Sequence, residues 1–163
     1  MEPILTWYRE HRRDLPWRAT SPWGVLVSEF MLQQTPVHRV LPQWQRWLEL
    51  WPTPADLAAA SLSDALREWG RLGYPRRAKR LYECAQVIVA EHGGAVPASI
   101  EQLRKLPGIG EYTAAAISAF AFHQSEFRCA LRPMYGAPAL GPALMLPLIV
   151  CHAPSAALYC LTL

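Results

Sequence analysis

Leu103-Arg104-Lys105-Leu106-Pro107-Gly108-Ile109-Gly110-Glu111-Tyr112-Thr113-Ala114 reads as the end of one helix, a tight turn and the start of another. Proline stops the first helix. The glycines at 108 and 110 permit positive φ and leave their peptide N–H groups uncovered. Those donors lie at the N-terminus of the following helix, where the helix dipole also favours an anion. Such a turn can hold a phosphate without a charged side chain. On spacing alone a plain helix–helix turn remains the alternative, because Gly-x-Gly is a short signal.

Working outward, residues 1–124 read as consecutive helices near 3–12, 24–34, 37–50, 54–60, 62–69, 76–92, 100–105 and 111–123. Thr53-Pro54-Ala55-Asp56 offers a capping threonine, a first-turn proline and an acid three residues on. Ser61-Leu62-Ser63-Asp64 repeats that logic, and Ser99-Ile100-Glu101-Gln102 is a third such box. Apolar residues recur at helical spacing in Trp44/Trp47/Leu48/Trp51 and Leu81/Ala85/Ile88/Val89. No segment alternates with period two, so the expected class is all-α.

The 163 residues are 52% apolar and 18% charged, with a net charge of +3. That suffices for one modest domain or most of one, and it permits a polyanionic partner without requiring it. Seven tryptophans are many for this length. The opening is polar and charged, unlike a secretory signal. The expected location is therefore cytoplasmic, and the four cysteines, Cys84, Cys129, Cys151 and Cys160, read as reduced thiols. Their spacings fit no zinc or iron–sulfur pattern, and small buried apolar residues are the simpler reading.

From Pro133 to Leu163 there is no charged residue, and five of the 15 prolines fall there. Residues 125–163 are expected to form a poorly ordered, proline-rich apolar tail. Three internal prolines and the lack of flanking positive charge argue against a membrane span in Leu140–Leu163.

Two longer strings sharpen the reading. The string L-P-G-I-G-x-x-T-A at 106–114 resembles the helix-hairpin-helix motif of DNA base-excision glycosylases. Val27-Ser28-Glu29-Phe30-Met31-Leu32-Gln33-Gln34-Thr35 resembles the S-E-x-M-L-Q-Q-T signature of MutY-type adenine DNA glycosylases. Leu15-Pro16-Trp17-Arg18 is similar to that family's L-P-W-R, and Trp69-Gly70-Arg71-Leu72-Gly73-Tyr74 to its W-x-G-L-G-Y. The resemblance covers roughly residues 4–124. It implies a helix-hairpin-helix glycosylase fold, incomplete at the C-terminal end, with the hairpin near 100–123.

The resemblance also implies roles. Glu29 is the catalytic acid that protonates adenine as its bond to the sugar breaks. Independently, Val25, Leu26 and Leu32 surround Glu29 on a helix, and an apolar setting raises a carboxyl pKa and suits a general acid. Strand-cutting relatives carry a nucleophilic lysine where this chain has Tyr112, so the implied enzyme is monofunctional, with Tyr112 lining the catalytic centre. Gln33, Gln34 and Tyr74 match DNA-contacting positions, Gly108, Ile109 and Gly110 the backbone grip, and Trp17 and Arg18 the base pocket. Arg76-Arg77-Ala78-Lys79-Arg80 is a basic cluster for which a solvated face and phosphate contact are equally good readings.

The implied partner is double-stranded DNA with adenine opposite 8-oxoguanine or guanine. The implied protein is a monomer, associated with the nucleoid through DNA and not with a membrane. A monovalent cation at the hairpin belongs to the same resemblance. Beyond Gln124 the pattern departs. The family's V-D-[GT]-N-V-x-R gives way to Ser125-Glu126-Phe127-Arg128-Cys129, no aspartate follows Asp64, and the C-x6-C-x2-C-x5-C ligands of a [4Fe–4S] cluster are missing. The departure reads as a truncated or frameshifted end. Low turnover, no cofactor, and exposure of Trp7 and Trp17 for want of their packing partner are the expectations. Two alternatives stay open: a glycosylase for mismatched thymine, and a DNA-binding fragment without catalysis.

Overall fold

The structure, a computed structural model, describes residue 11 and residues 14–123. The expected helix at 3–12 and the tail at 125–163 lie outside the described residues, apart from His11, which is helical. Among the described residues there are seven α-helices and no strand. They are α1 (Pro22–Leu32), α2 (Val37–Leu50), α3 (Pro54–Ala59), α4 (Leu62–Trp69), α5 (Arg76–His92), α6 (Ile100–Leu103) and α7 (Glu111–Phe122), with 3-10 turns at Pro16–Ala19 and Gly70–Leu72. The all-α expectation holds. None of these helices is long and apolar enough to cross a membrane.

Helix α1 is the axis of the molecule. It packs against α2, α5, α7 and the first 3-10 turn, while α3 and α4 lie on α5. Residues 23–28 of α1 are all buried, which is why it reads as continuously apolar rather than amphipathic. Its one buried hydroxyl, Ser28, donates to Val25 O at 2.7 Å, so burial leaves no unmet donor there. Helix α1 starts two residues before the expected boundary, at Pro22. Ser21 caps it by accepting from Gly24 N at 3.2 Å, and proline suits the first turn.

The tryptophans explain their own abundance. Trp47 packs edge-on against Trp51 and Trp69, with centroids at 4.9 and 5.4 Å. Four indole N–H groups each donate to a backbone carbonyl: Trp23 to Trp51, Trp44 to Gly24, Trp47 to Glu68 and Trp69 to Gly73, at 2.8–3.0 Å. Each bond links a helix to an adjoining helix or turn, so these rings both fill the core and fix the connections.

The start signals hold at two of three places. Thr53 and Asp56 form a complete reciprocal capping box, and Ser61 accepts from Asp64 N at 3.1 Å. Ser99 makes no such side-chain bond, and α6 ends at Leu103 rather than 105. Two further corrections concern exposure. Trp17 is buried, not exposed, because its ring meets Trp44 edge-on at 5.7 Å. Val89 is exposed, because the buried stripe of α5 runs through Ala78, Leu81, Cys84, Ala85 and Ile88.

Candidate functional site

Glu29 sits in the last turn of α1, and Tyr112 in the first turn of α7. Both side chains are partly buried. Burial pushes the Glu29 carboxyl from its ordinary 4.5 up to about 7. The Tyr112 hydroxyl is driven well above its usual range, first by burial and then by the charge of Glu29 beside it. The two residues singled out from different motifs are thus electrostatic neighbours. An acid that still holds its proton near neutrality, with some access to solvent, can deliver that proton to a bound group.

The hairpin stands against the same helix. Leu103, Leu106 and Ile109 are buried and pin it down, and Ile109 N donates to Leu106 O at 3.2 Å. Gly108 has φ +80°, and a Cβ there would lie 2.9 Å from both Arg80 Cβ and Phe30 Cε1. Only glycine fits, for conformation and space together. Gly108 and Gly110 are exposed, and nothing stands over Gly110 within 4 Å. The uncovered peptide backbone at the start of α7 can receive a phosphate oxygen.

Two further loops meet at the C-terminal end of α1. Gln34, just past α1, has φ 55° and is exposed; Tyr74, just before α5, has φ 49° and is 62% exposed. Non-glycine residues in this region are held there by their surroundings. Gln33 and Arg18 are partly buried, whereas Trp17 lies in the core cluster.

The structure separates the basic cluster. Arg76, Lys79 and Arg80 are exposed, and Lys79 pairs with Glu83 at 3.8 Å. Arg77 turns inward and bonds to the ends of both loops. Sequence reading grouped it with its neighbours and missed this. The signal was its register, since 77, 81, 84 and 88 continue one stripe of α5 and three of those positions are apolar.

Among the described residues no three His, Cys, Asp or Glu side chains gather as a metal site, and the described thiol, Cys84, is buried and free.

The model of the HhH-GPD superfamily base excision DNA repair protein matches residues 27–143, running past residue 124, where the motif-by-motif resemblance stops. An adenine DNA glycosylase of Mycobacterium tuberculosis is 58% identical over 123 residues, covering 74% of this chain and 40% of that protein. One of Mycolicibacterium smegmatis is 57% identical over 124 residues, covering 75% and 42%. A solved thermostable thymine-DNA glycosylase superposes with a TM-score of 0.71 at 31% identity, covering 76% of this chain and 58% of that one. The chain therefore spans about two fifths of the length of these two relatives.

Proposed function

The chain belongs to the HhH-GPD superfamily of base excision DNA repair proteins, and on that premise we propose that it acts, as a monomer, on adenine mispaired with 8-oxoguanine or guanine in duplex DNA, hydrolysing the N-glycosidic bond. The observation that carries the reading is the Glu29 carboxyl, pushed up to about 7 beside Tyr112. Adenine leaves readily only when protonated. The target nucleotide is first extruded from the stack. Glu29 donates its proton to the adenine ring nitrogen N7, and the bonding pair of the glycosidic bond departs with the base. The sugar carbon is left as an oxocarbenium ion. Water adds to it and loses a proton, which returns the carboxylate to its acid form.

The remaining residues divide into grip and wedge. The turn at Gly108, Ile109 and Gly110 holds a phosphate and sets register without reading sequence. A monovalent cation held by the carbonyls of the same turn would assist that grip. Gln34 and Tyr74 enter the base stack, Gln33 sits beside Gln34 near the DNA, and Arg18 borders the extruded base; Trp17, packed in the core against Trp44, does not reach it. Tyr112 offers no amine for a covalent intermediate, so the enzyme is monofunctional. Asp64 is the last aspartate of the sequence. The second carboxylate that steadies a sugar cation in related chemistry is not supplied at the family's position, and turnover is slow.

Single-turnover excision on A:8-oxoG, A:G and T:G duplexes tests this. Slow release of adenine, lost in Glu29→Gln, is expected. Release of thymine from T:G instead overturns the adenine assignment, and DNA binding without base release leaves the non-catalytic alternative.

A further inference from the structure

One side chain of the basic cluster, outside the family-like strings, makes an unusually large number of hydrogen bonds. Arg77, the second residue of α5, is half-buried. Its Nη1 donates to Phe30 O at 3.2 Å, to Met31 O at 3.0 Å and to Gln33 O. Its Nη2 donates to Thr35 Oγ1 at 3.0 Å and to the carbonyls of Leu72 and Gly73, each at 3.1 Å. The guanidinium carbon stands 5.4 Å from the ring centroids of both Trp69 and Tyr74.

These partners fall in two separate segments. One is the C-terminus of α1, whose last carbonyls lack intrahelical donors and whose cap residue, Gln33, has φ −56° rather than a left-handed turn. A cation there also opposes the helix dipole. The other is the Leu72-Gly73-Tyr74 turn. Thr35 makes the join twice over, since its hydroxyl, which accepts from Arg77, also lies 3.3 Å from Leu72 O as a donor. Gln34 and Tyr74, two of the three non-glycine residues with positive φ among those described, lie one on each segment beside this guanidinium. Such backbone persists when several bonds over-determine it. The planar fork of arginine presents two separate nitrogens to the two segments, whereas lysine offers three donors on a single atom and reaches fewer of these acceptors.

We propose that Arg77 is a positioning residue that locks the Gln34 and Tyr74 tips into one two-pronged wedge and ties that wedge to the end of the helix carrying Glu29. The wedge's task rests on the DNA reading above; the lock itself does not.

Hydrogen exchange on the free protein tests the lock. In Arg77→Lys, amides at 33–35 and 72–74 should exchange at least about tenfold faster together, with 106–110 unchanged. Loosening of one segment alone, of neither, or of the hairpin as well overturns it. If Arg77→Lys does not fold, Thr35→Val must give the same paired signature in weaker form, and its absence overturns the lock. A second measurement follows 2-aminopurine fluorescence beside a tetrahydrofuran abasic-site analogue. Arg77→Lys should lose the unstacking signal and bind that duplex at least about tenfold more weakly, while binding undamaged duplex as the parent does. Equal loss on both duplexes marks a phosphate contact and overturns the wedge. If the parent itself does not prefer the abasic duplex, the DNA-repair reading fails, and the exchange data still decide the lock.

Discussion

Replacing Glu29 by glutamine should remove base excision and, above neutral pH, make the protein more stable. Burial carries the carboxyl from 4.5 to about 7. At about 1.4 kcal/mol per pH unit, the charged form costs the folded state up to about 3 kcal/mol. The sign follows from proton counts. Below pH 4.5 the carboxyl is neutral in both states and costs nothing. Between 4.5 and about 7 the folded protein keeps a proton that the unfolded chain has lost, so stability falls as pH rises. Above that the full penalty is present. Glutamine has no such titration. Urea unfolding of parent and Glu29→Gln should therefore give a stability gap that widens in the variant's favour across this window and is flat above it. For a chain of this size about 3 kcal/mol corresponds to roughly 6–12 °C in melting temperature. Parallel stability curves, or a gap that closes with rising pH, would refute the reasoning.

Three further outcomes follow from the geometry. Gly108→Ala places a methyl 2.9 Å from Arg80 and Phe30 at φ +80°; it should cost more than about 1 kcal/mol in thermal melts and weaken binding to undamaged duplex DNA. Thr53→Ala removes the hydroxyl that accepts from Asp56 N in the α3 capping box, while the backbone N–H of residue 53 keeps its bond to the Asp56 carboxylate; it should cost about 1 kcal/mol, seen as a lower urea midpoint with unchanged slope. The Cys84 thiol is fully buried and pushed up to about 12, so peptide mapping after iodoacetamide treatment at neutral pH should find it unmodified in the folded protein and modified in urea.

Helix positions were legible because their causes are local. The α3 boundaries follow from Thr53, Pro54 and Asp56, which fold on one another within four residues. The α5 core face follows from Leu81, Ala85 and Ile88 at helical spacing. What stayed hidden depends on distant partners. Nothing near Trp17 in sequence announces Trp44, and nothing beside Arg77 announces Phe30, 47 residues away. Ser99 has the right residue types for a capping box but makes no side-chain bond; a pattern names candidates, and tertiary packing chooses among them. In the candidate site, the apolar neighbours of Glu29 foretold its raised pKa. Its approach to Tyr112 is a matter of α1 meeting α7 and could be reached only through a family resemblance.

Phe30 follows Glu29 directly, and its ring is what the Gly108 turn rests on. With Arg80 as the turn's other contact, this ring is the spacer that sets the Gly108 turn against the helix carrying Glu29. On the proposed reading, its thickness gauges how far an extruded base can stand from a held phosphate. A slimmer residue there would let the hairpin settle inward and mis-set that reach, leaving both the grip and the acid chemically intact but out of step with the DNA.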